Sequence, residues 1–393
     1  MARKKNDEKA SEDANIYLPE INKDNLEYVD FLSKEDTISS GSTILNLYLS
    51  NNIDGGYRKG TAVRIHGPEG SGKTALAVAI EAGVACNSER YKNYRTVYTD
   101  LEGGLTINLA KRYGKEVSEK IEVQVPEELS DINVQKLFQE AINLFENNAA
   151  ILVTDSTDTL KTIKQKQLDE ENKKLAESGK ELKENAMMEA AKVFSTELPK
   201  VMSPLRKNNS LWLLISQNRA TPNPYEKNAA YHVSGGNALL YYVSYRLNTK
   251  EVGKITKKDP FGNEHKIGQI VEVKILKNRG TGKLGEIKLA LYDQHGFVDE
   301  VSVFDWLAEE VGIIKKQGKT PWYVADWLLY DEADLDSEGK LLPDENGNPR
   351  ESKKFTRNDM INRFIKEPEL FQKARKKCQE VWDIINADLA EIF

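Results

Sequence analysis

The stretch GPEGSGKT, Gly67 to Thr74, sets three glycines, a lysine and a hydroxyl residue between an apolar run and a helical pattern. It fits the spacing G-x-x-x-x-G-K-[ST], whose chemistry is phosphate binding. Gly67, Gly70 and Gly72, with Pro68, Glu69 and Ser71 between them, let the backbone wrap an anion with its N–H groups pointing inward. The following helix offers its positive end to the same anion. Lys73 is the point charge for the terminal phosphates, and Thr74 supplies a hydroxyl to Mg²⁺. Asp155, closing AAILVTD, is a carboxylate at the tip of a buried strand and the expected second metal anchor. Phosphate-ester hydrolysis also needs a carboxylate that orients water. Glu102 and Asp100, both in YTDLEGG, can each supply it, and spacing alone leaves the choice open. Gln217, after LWLLIS, can hydrogen-bond a γ-phosphate and pull on the segment C-terminal to it.

That segment, RATPNPYEKNAAYHVSGG at 219–236, is polar and aperiodic. A loop of that length inside a folded domain is functional or disordered. Arg219 and Lys227 can meet phosphates; Tyr225, Tyr231 and His232 can stack on bases or wedge between them.

The elements that must position these residues are legible as a pattern. TAVRIH, RTVYTD, AAILVTD and LWLLISQ read as buried strands, separated by helical stretches such as KTALAVAIEAGVAC and LTINLAKRYG. Strands alternating with helices predict an α/β fold with a mainly parallel sheet. VSYRLNT, QIVEVKILKN and GEIKLALYD then read as antiparallel strands added at the sheet edge. From 301 the texture turns mixed and helical, which predicts a small α/β C-terminal domain over 301–393. Residues 1–35 read as an arm, with NIYLPEI as its apolar punctuation, and 36–300 as the core. The 161–185 insert is almost wholly polar, a solvated helix or a loop.

Composition bounds the rest. The 393 residues carry a net charge of −6 and 30% charged side chains, with no apolar run able to span a bilayer and no signal-peptide pattern. Two cysteines form no disulfide or metal framework, so a reducing cytoplasmic home is expected, and no membrane partner. The acidic balance requires any nucleic-acid site to be a local basic groove. DLDSEGKLLPDE approximates a calcium loop, but Pro343 interrupts it and no exit helix is patterned after it, so a hairpin turn is expected.

Taken together, these motifs resemble the RecA family of recombinases, collinearly over about residues 35–325. SGSTILNLYL…GGYRKGTAVRIHGPEGSGKT resembles its entry strand and phosphate loop, YTDLEGG its Asp-x-Glu segment, and ILVTDS its second phosphate-site strand. ISQNR resembles its Asn-Gln-x-Arg switch, with Ser216 in place of Asn; GGNALLYYVSYRLN and VEVKILKNR resemble two further signatures. The resemblance implies that Glu102 is the catalytic carboxylate and Asp100 structural. It implies that Lys277 and Arg279 reach a neighbouring subunit's ATP, and that Tyr292 contacts the nucleotide base. In the first DNA loop it implies a wedge at Met187 and backbone contacts at Lys192 and Ser195. In the second it implies contacts at Arg219, Gly235 and Gly236, with Tyr225 the best wedge and Tyr231 next.

There are departures. The 161–185 insert is long, Pro199 stands where a basic residue is usual (Lys200 can substitute), and NADLAEIF is no acidic tail. WYVADWLLYDEADLDSEG is similar to phage UvsX-type recombinases, which points to a phage-encoded member acting in a bacterial host cytoplasm. The implied activity is a DNA-dependent ATPase that uses ATP and Mg²⁺, forms a homo-oligomeric helical filament on single-stranded DNA, and exchanges strands with double-stranded DNA. A single-strand-binding protein and a mediator are the further implied partners. Two alternatives share the phosphate site. A RecA-fold hexameric helicase is disfavoured by GGNALLYYVS, and a filament-forming scaffold or regulator with weak turnover is disfavoured by Glu102.

Overall fold

The computed structural model describes residues 32–86, 89–105, 107–126, 132–158, 160–178, 189–217, 236–337 and 340–390. A two-strand ribbon pairs β1 (Thr37–Ile38) with β2 (Tyr57–Arg58). Between them lies α1 (Thr43–Ser50), capped by the Ser42 side chain, which accepts from the Leu45 N–H. TILNLYLS within the expected entry stretch is therefore helix, and the entry strand proper is β3 (Thr61–Gly67).

The alternating order continues with α2 (Lys73–Cys86), β4 (Tyr94–Asp100), α3 (Leu109–Tyr113), α4 (Lys115–Lys120), β5 (Ile121–Gln124), α5 (Val134–Asn147), β6 (Ala149–Asp155), α6 (Ile163–Glu177), α7 (Glu189–Lys207), β7 (Leu211–Gln217) and α8 (Gly236–Tyr242). Then come the long hairpin β8 (Tyr245–Lys258) and β9 (Glu264–Asn278), with β10 (Gly285–Tyr292) and β11 (Gly296–Phe297). The helix expected over LTINLAKRYG shrinks to α3, because Asn108 accepts from the Lys111 N–H and starts the helix there. Much of the polar insert is α6, opened by a Thr162–Gln165 capping box and with no buried residue.

Among the described residues these strands form one nine-stranded sheet in the order β11-β10-β9-β8-β3-β7-β6-β4-β5. From β8 to β5 the pairings are parallel; β9, β10 and β11 join antiparallel at the other side. Both faces are covered, as a parallel sheet requires. On one face Val63, Ile65, Val153, Leu213 and Leu247 pack with Leu45, Leu76 and Ile80 of the α1–α2 layer. On the other, Ala62, Leu152, Trp212 and Leu214 pack with Phe138 and Phe145 of α5, Phe194 and Leu198 of α7, and Leu239 of α8.

Beyond the sheet come α9 (Asp299–Asp305), the small sheet β12 (Lys315–Lys316), β13 (Trp322–Val324) and β14 (Lys354–Thr356), and the helices α10 (Asp326–Leu329), α11 (Arg357–Lys366) and α12 (Pro368–Ala390). The apolar cluster of the α1–α2 layer continues without a break into Phe304, Met360, Phe364 and Trp382. α12 is pinned to the α1 end: Trp382 Nε1 donates to Asn51 Oδ1 at 3.0 Å, and Arg375 Nη2 to Asp54 at 2.7 Å. No described helix is long and apolar enough to cross a membrane.

Candidate nucleotide site and its link to the loop stems

All the chemistry-bearing strand tips lie at one end of the parallel sheet, because β3, β4, β6 and β7 run the same way. β3 delivers Gly67, and α2 begins at Lys73. Gly70 and Gly72 have φ of 69° and 86°, the left-handed region that glycine adopts without strain. Gly67 meets a second requirement: a Cβ there would lie 2.3 Å from the Thr249 carbonyl oxygen. Lys73 Nζ donates to Gly67 O at 3.1 Å and Pro68 O at 2.6 Å. Burial lowers the pKa of that ammonium, while the charges of Asp155 and Glu102 act in the opposite direction.

Thr74 Oγ1 donates to Asp155 Oδ2 at 2.6 Å. The hydroxyl and carboxylate expected to share a metal are thus in contact although 81 residues apart. Among the described residues no cluster of three or more His, Cys, Asp or Glu could hold a metal alone. One hydroxyl and one carboxylate, both hard oxygen donors, suit Mg²⁺, which binds through one or two protein oxygens, substrate phosphates and water.

The two acidic candidates of YTDLEGG have different environments. Asp100 is buried and accepts from three backbone N–H groups: Glu102 and Gly104 at 3.2 Å and Leu105 at 2.9 Å. It builds the turn. Glu102 is exposed, accepts from the Ser156 hydroxyl, and faces Gln217 Nε2 at 3.3 Å. The Gln217 N–H in turn donates to Asp158. Strand tips β4, β6 and β7 are therefore stitched together by Glu102, Ser156, Asp158 and Gln217.

Three contacts have no signal in the motif pattern. Tyr98 OH donates to Asp155 Oδ2 at 2.6 Å, Ser71 Oγ lies 2.7 Å from Thr249 Oγ1, and Gln269 Nε2 donates to Gly70 O at 2.7 Å. The first joins the neighbouring strands β4 and β6. The others join the phosphate loop to β8 and β9, a long-range pairing that no local spacing encodes.

The remaining candidates are placed on several elements. Lys277 Nζ donates to Leu240 O at 2.7 Å and Tyr241 O at 3.2 Å, and Arg279 Nη2 to Tyr241 O at 3.1 Å. Both cations thus close the C-terminal end of α8. Tyr292 ends β10, beside Leu291, which lies against Gly72. Lys192 and Ser195 lie on α7; Lys192 is exposed, and Ser195 Oγ donates back to Ala191 O at 2.8 Å. Pro199 and Lys200 belong to the same helix. Gly236 opens α8. Met187, Arg219, Tyr225, Lys227, Tyr231, His232 and Gly235 lie outside the described residues.

A family model described as the RecA N-terminal domain matches residues 29–298. Protein RecA of Helicobacter acinonychis (strain Sheeba) is 28% identical over 307 residues, 77% of each chain. Protein RecA of Thermus thermophilus is 29% identical over 307 residues, 78% of each. Among solved structures, that of the RadB recombinase aligns with a TM-score of 0.42 at 17% identity, covering 66% of this chain and 98% of that one. The matched span holds the phosphate loop, Glu102, Asp155, Gln217 and both arms of the β8–β9 hairpin, and the chain belongs to the RecA family.

Proposed function

We propose that this protein is an ATP-dependent DNA recombinase that assembles as a helical filament on single-stranded DNA and pairs it with a homologous duplex. The observation that carries the reading is the Gln217–Glu102 contact of 3.3 Å, which joins the hydrolytic carboxylate to the stem of the 219–236 segment.

ATP binds with its phosphates in the loop Gly67–Thr74, Lys73 moving its ammonium from the Gly67 and Pro68 carbonyls to the terminal phosphates. Thr74 and Asp155 hold Mg²⁺, which when bound neutralises the developing phosphate charge. Glu102 orients the attacking water, and Gln217 senses the γ-phosphate and passes its position to the DNA segment. Lys277 and Arg279 complete the site of the neighbouring subunit, and Tyr292 contacts the base. Lys192 and Ser195 with Met187, and Arg219, Tyr225, Tyr231, Gly235 and Gly236, contact DNA. Pairing between bases then tests homology, so no sequence preference is expected.

Assembly is proposed through the arm, residues 1–35. β5 is an edge strand of four residues, with Val123 exposed on it and Val125 exposed just after it. Beside it runs a groove of about 540 Å³ lined in part by Gln124, Leu137, Ala141 and Leu144. An open edge next to a groove of mixed apolar and polar lining suits a segment such as NIYLPEI of another copy, which pairs apolar with polar side chains. The likeness to UvsX-type proteins supports a phage-encoded member acting in a bacterial cytoplasm, with a single-strand-binding protein and a mediator as further partners.

Steady-state ATP turnover with and without single-stranded DNA, at low and moderate salt, tests the reading. Strong stimulation by single strands, weakening with salt, is expected. Turnover indifferent to DNA would overturn it in favour of another RecA-fold motor.

A further inference from the structure

Arg64 lies in the middle of β3 and is fully buried, an expensive position for a charge unless it is paired. Its Nε and Nη2 both donate to Ser216 Oγ, at 3.0 and 2.8 Å, while Nη1 has no hydrogen-bond partner among the described residues. The carboxylate whose charge favours the guanidinium is Asp158. Like charges sit beside it. Arg64 pairs in register with Arg246 of β8, and Arg246 with Lys277 of β9. Registered neighbours share a sheet face, so three cations lie in a row across it.

Ser216 immediately precedes Gln217, the last described residue before the second proposed DNA segment, and Asp158 follows β6 on the stretch of chain that leads through α6 to the first. Asp158 also accepts from the Gln217 N–H. One guanidinium therefore bears on both stems at once: on the β7 stem by two hydrogen bonds, on the β6 stem by charge.

We propose that Arg64 is a positioning residue that ties the stems of the two DNA segments into one unit, so that γ-phosphate sensing at Gln217 reorders both together. It touches neither nucleotide nor DNA; it acts through Ser216 and Asp158. The inference rests on the recombinase reading above.

The test compares Arg64→Lys and Arg64→Gln with the wild type in ATP turnover, with and without oligothymidylate, and in affinity for a fluorescent ATP analogue. Lysine keeps the charge that faces Asp158 but loses the forked pair of bonds to Ser216; glutamine loses the charge. Both variants are expected to bind nucleotide within about threefold of wild type, while stimulation by oligothymidylate falls roughly tenfold. Full stimulation in both variants overturns the inference. Absence of stimulation in the wild type overturns the recombinase reading instead. If neither variant folds, hydrogen exchange on the wild type decides. Amides at 156–158 and 215–217 should gain protection together when an ATP analogue and oligothymidylate are added, and protection confined to one stem refutes the tie.

Discussion

Asp155 Oδ2 accepts two hydrogen bonds of 2.6 Å, from Thr74 Oγ1 and Tyr98 OH. In its proposed role as metal anchor, this carboxylate is oriented through Oδ2 before a metal arrives. Tyr98→Phe keeps the buried ring and removes only that bond. The expected outcome is a roughly tenfold rise in the Mg²⁺ concentration for half-maximal turnover, with little change at saturating Mg²⁺. An unchanged Mg²⁺ titration would show that Thr74 alone orients Asp155. On the same side of the sheet, Glu81 of α2 is fully buried, and neither oxygen has a hydrogen-bond partner among the described residues. Burial pushes its pKa well above the ordinary value of 4.5. The folded state keeps the proton that the unfolded state releases, so stability falls as pH rises from the unfolded value towards the folded one. The slope is about 1.4 kcal/mol per pH unit at most. Glu81→Met removes the titration. Its melting temperature should exceed that of the wild type increasingly from pH 5 to pH 8; a difference independent of pH defeats the account. Lys73 and Thr74 are legible in the sequence because the phosphate-loop pattern fixes their types and spacing, and Asp155 because it closes a buried apolar run. Glu81 and Tyr98 are not, since a carboxylate inside a helical pattern and a tyrosine inside a strand pattern announce no contact.

Elements are legible where one period dominates. β3, β4, β6 and β7 fall within a residue of the buried runs TAVRIH, RTVYTD, AAILVTD and LWLLISQ, because strands covered on both faces read as continuous apolar stretches. The choice between Asp100 and Glu102 cannot be read from spacing, since it depends on where three backbone N–H groups of the following turn point. β8 and β9 are legible only in part. VSYRLNT and QIVEVKILKN are apolar and alternate, but the outer arms, through KITKKDP and EHKI, are mostly polar and become strand by pairing with each other. The same pairing brings Thr249 and Gln269 to the phosphate loop.

At the scale of the whole molecule, the change of texture near 300 is visible in the sequence, yet the apolar cluster passes through it. α12 carries much of that continuity. Trp382 is buried, its ring centroid 4.7 Å from that of Tyr48 and 4.6 Å from the Lys283 ammonium. Trp382→Ala is expected to cost about 3–5 kcal/mol, the usual loss for a buried indole. Denaturant unfolding followed by far-UV circular dichroism checks it: the midpoint should fall while the transition stays single. A separate early transition would mean that the segment after 300 folds independently of the sheet.

The hairpin β8–β9 grips the phosphate loop near its middle and ends at Phe261, which is 88% exposed. It is shaped as a lever with its fulcrum at the loop. From Thr249 to Lys258 the free arm spans roughly 30 Å at strand rise, so a tilt of about 5° at the fulcrum displaces the tip by ~3 Å. A shift around Gly70 on nucleotide binding, too small to notice there, would therefore be delivered, enlarged, to an aromatic side chain in solvent.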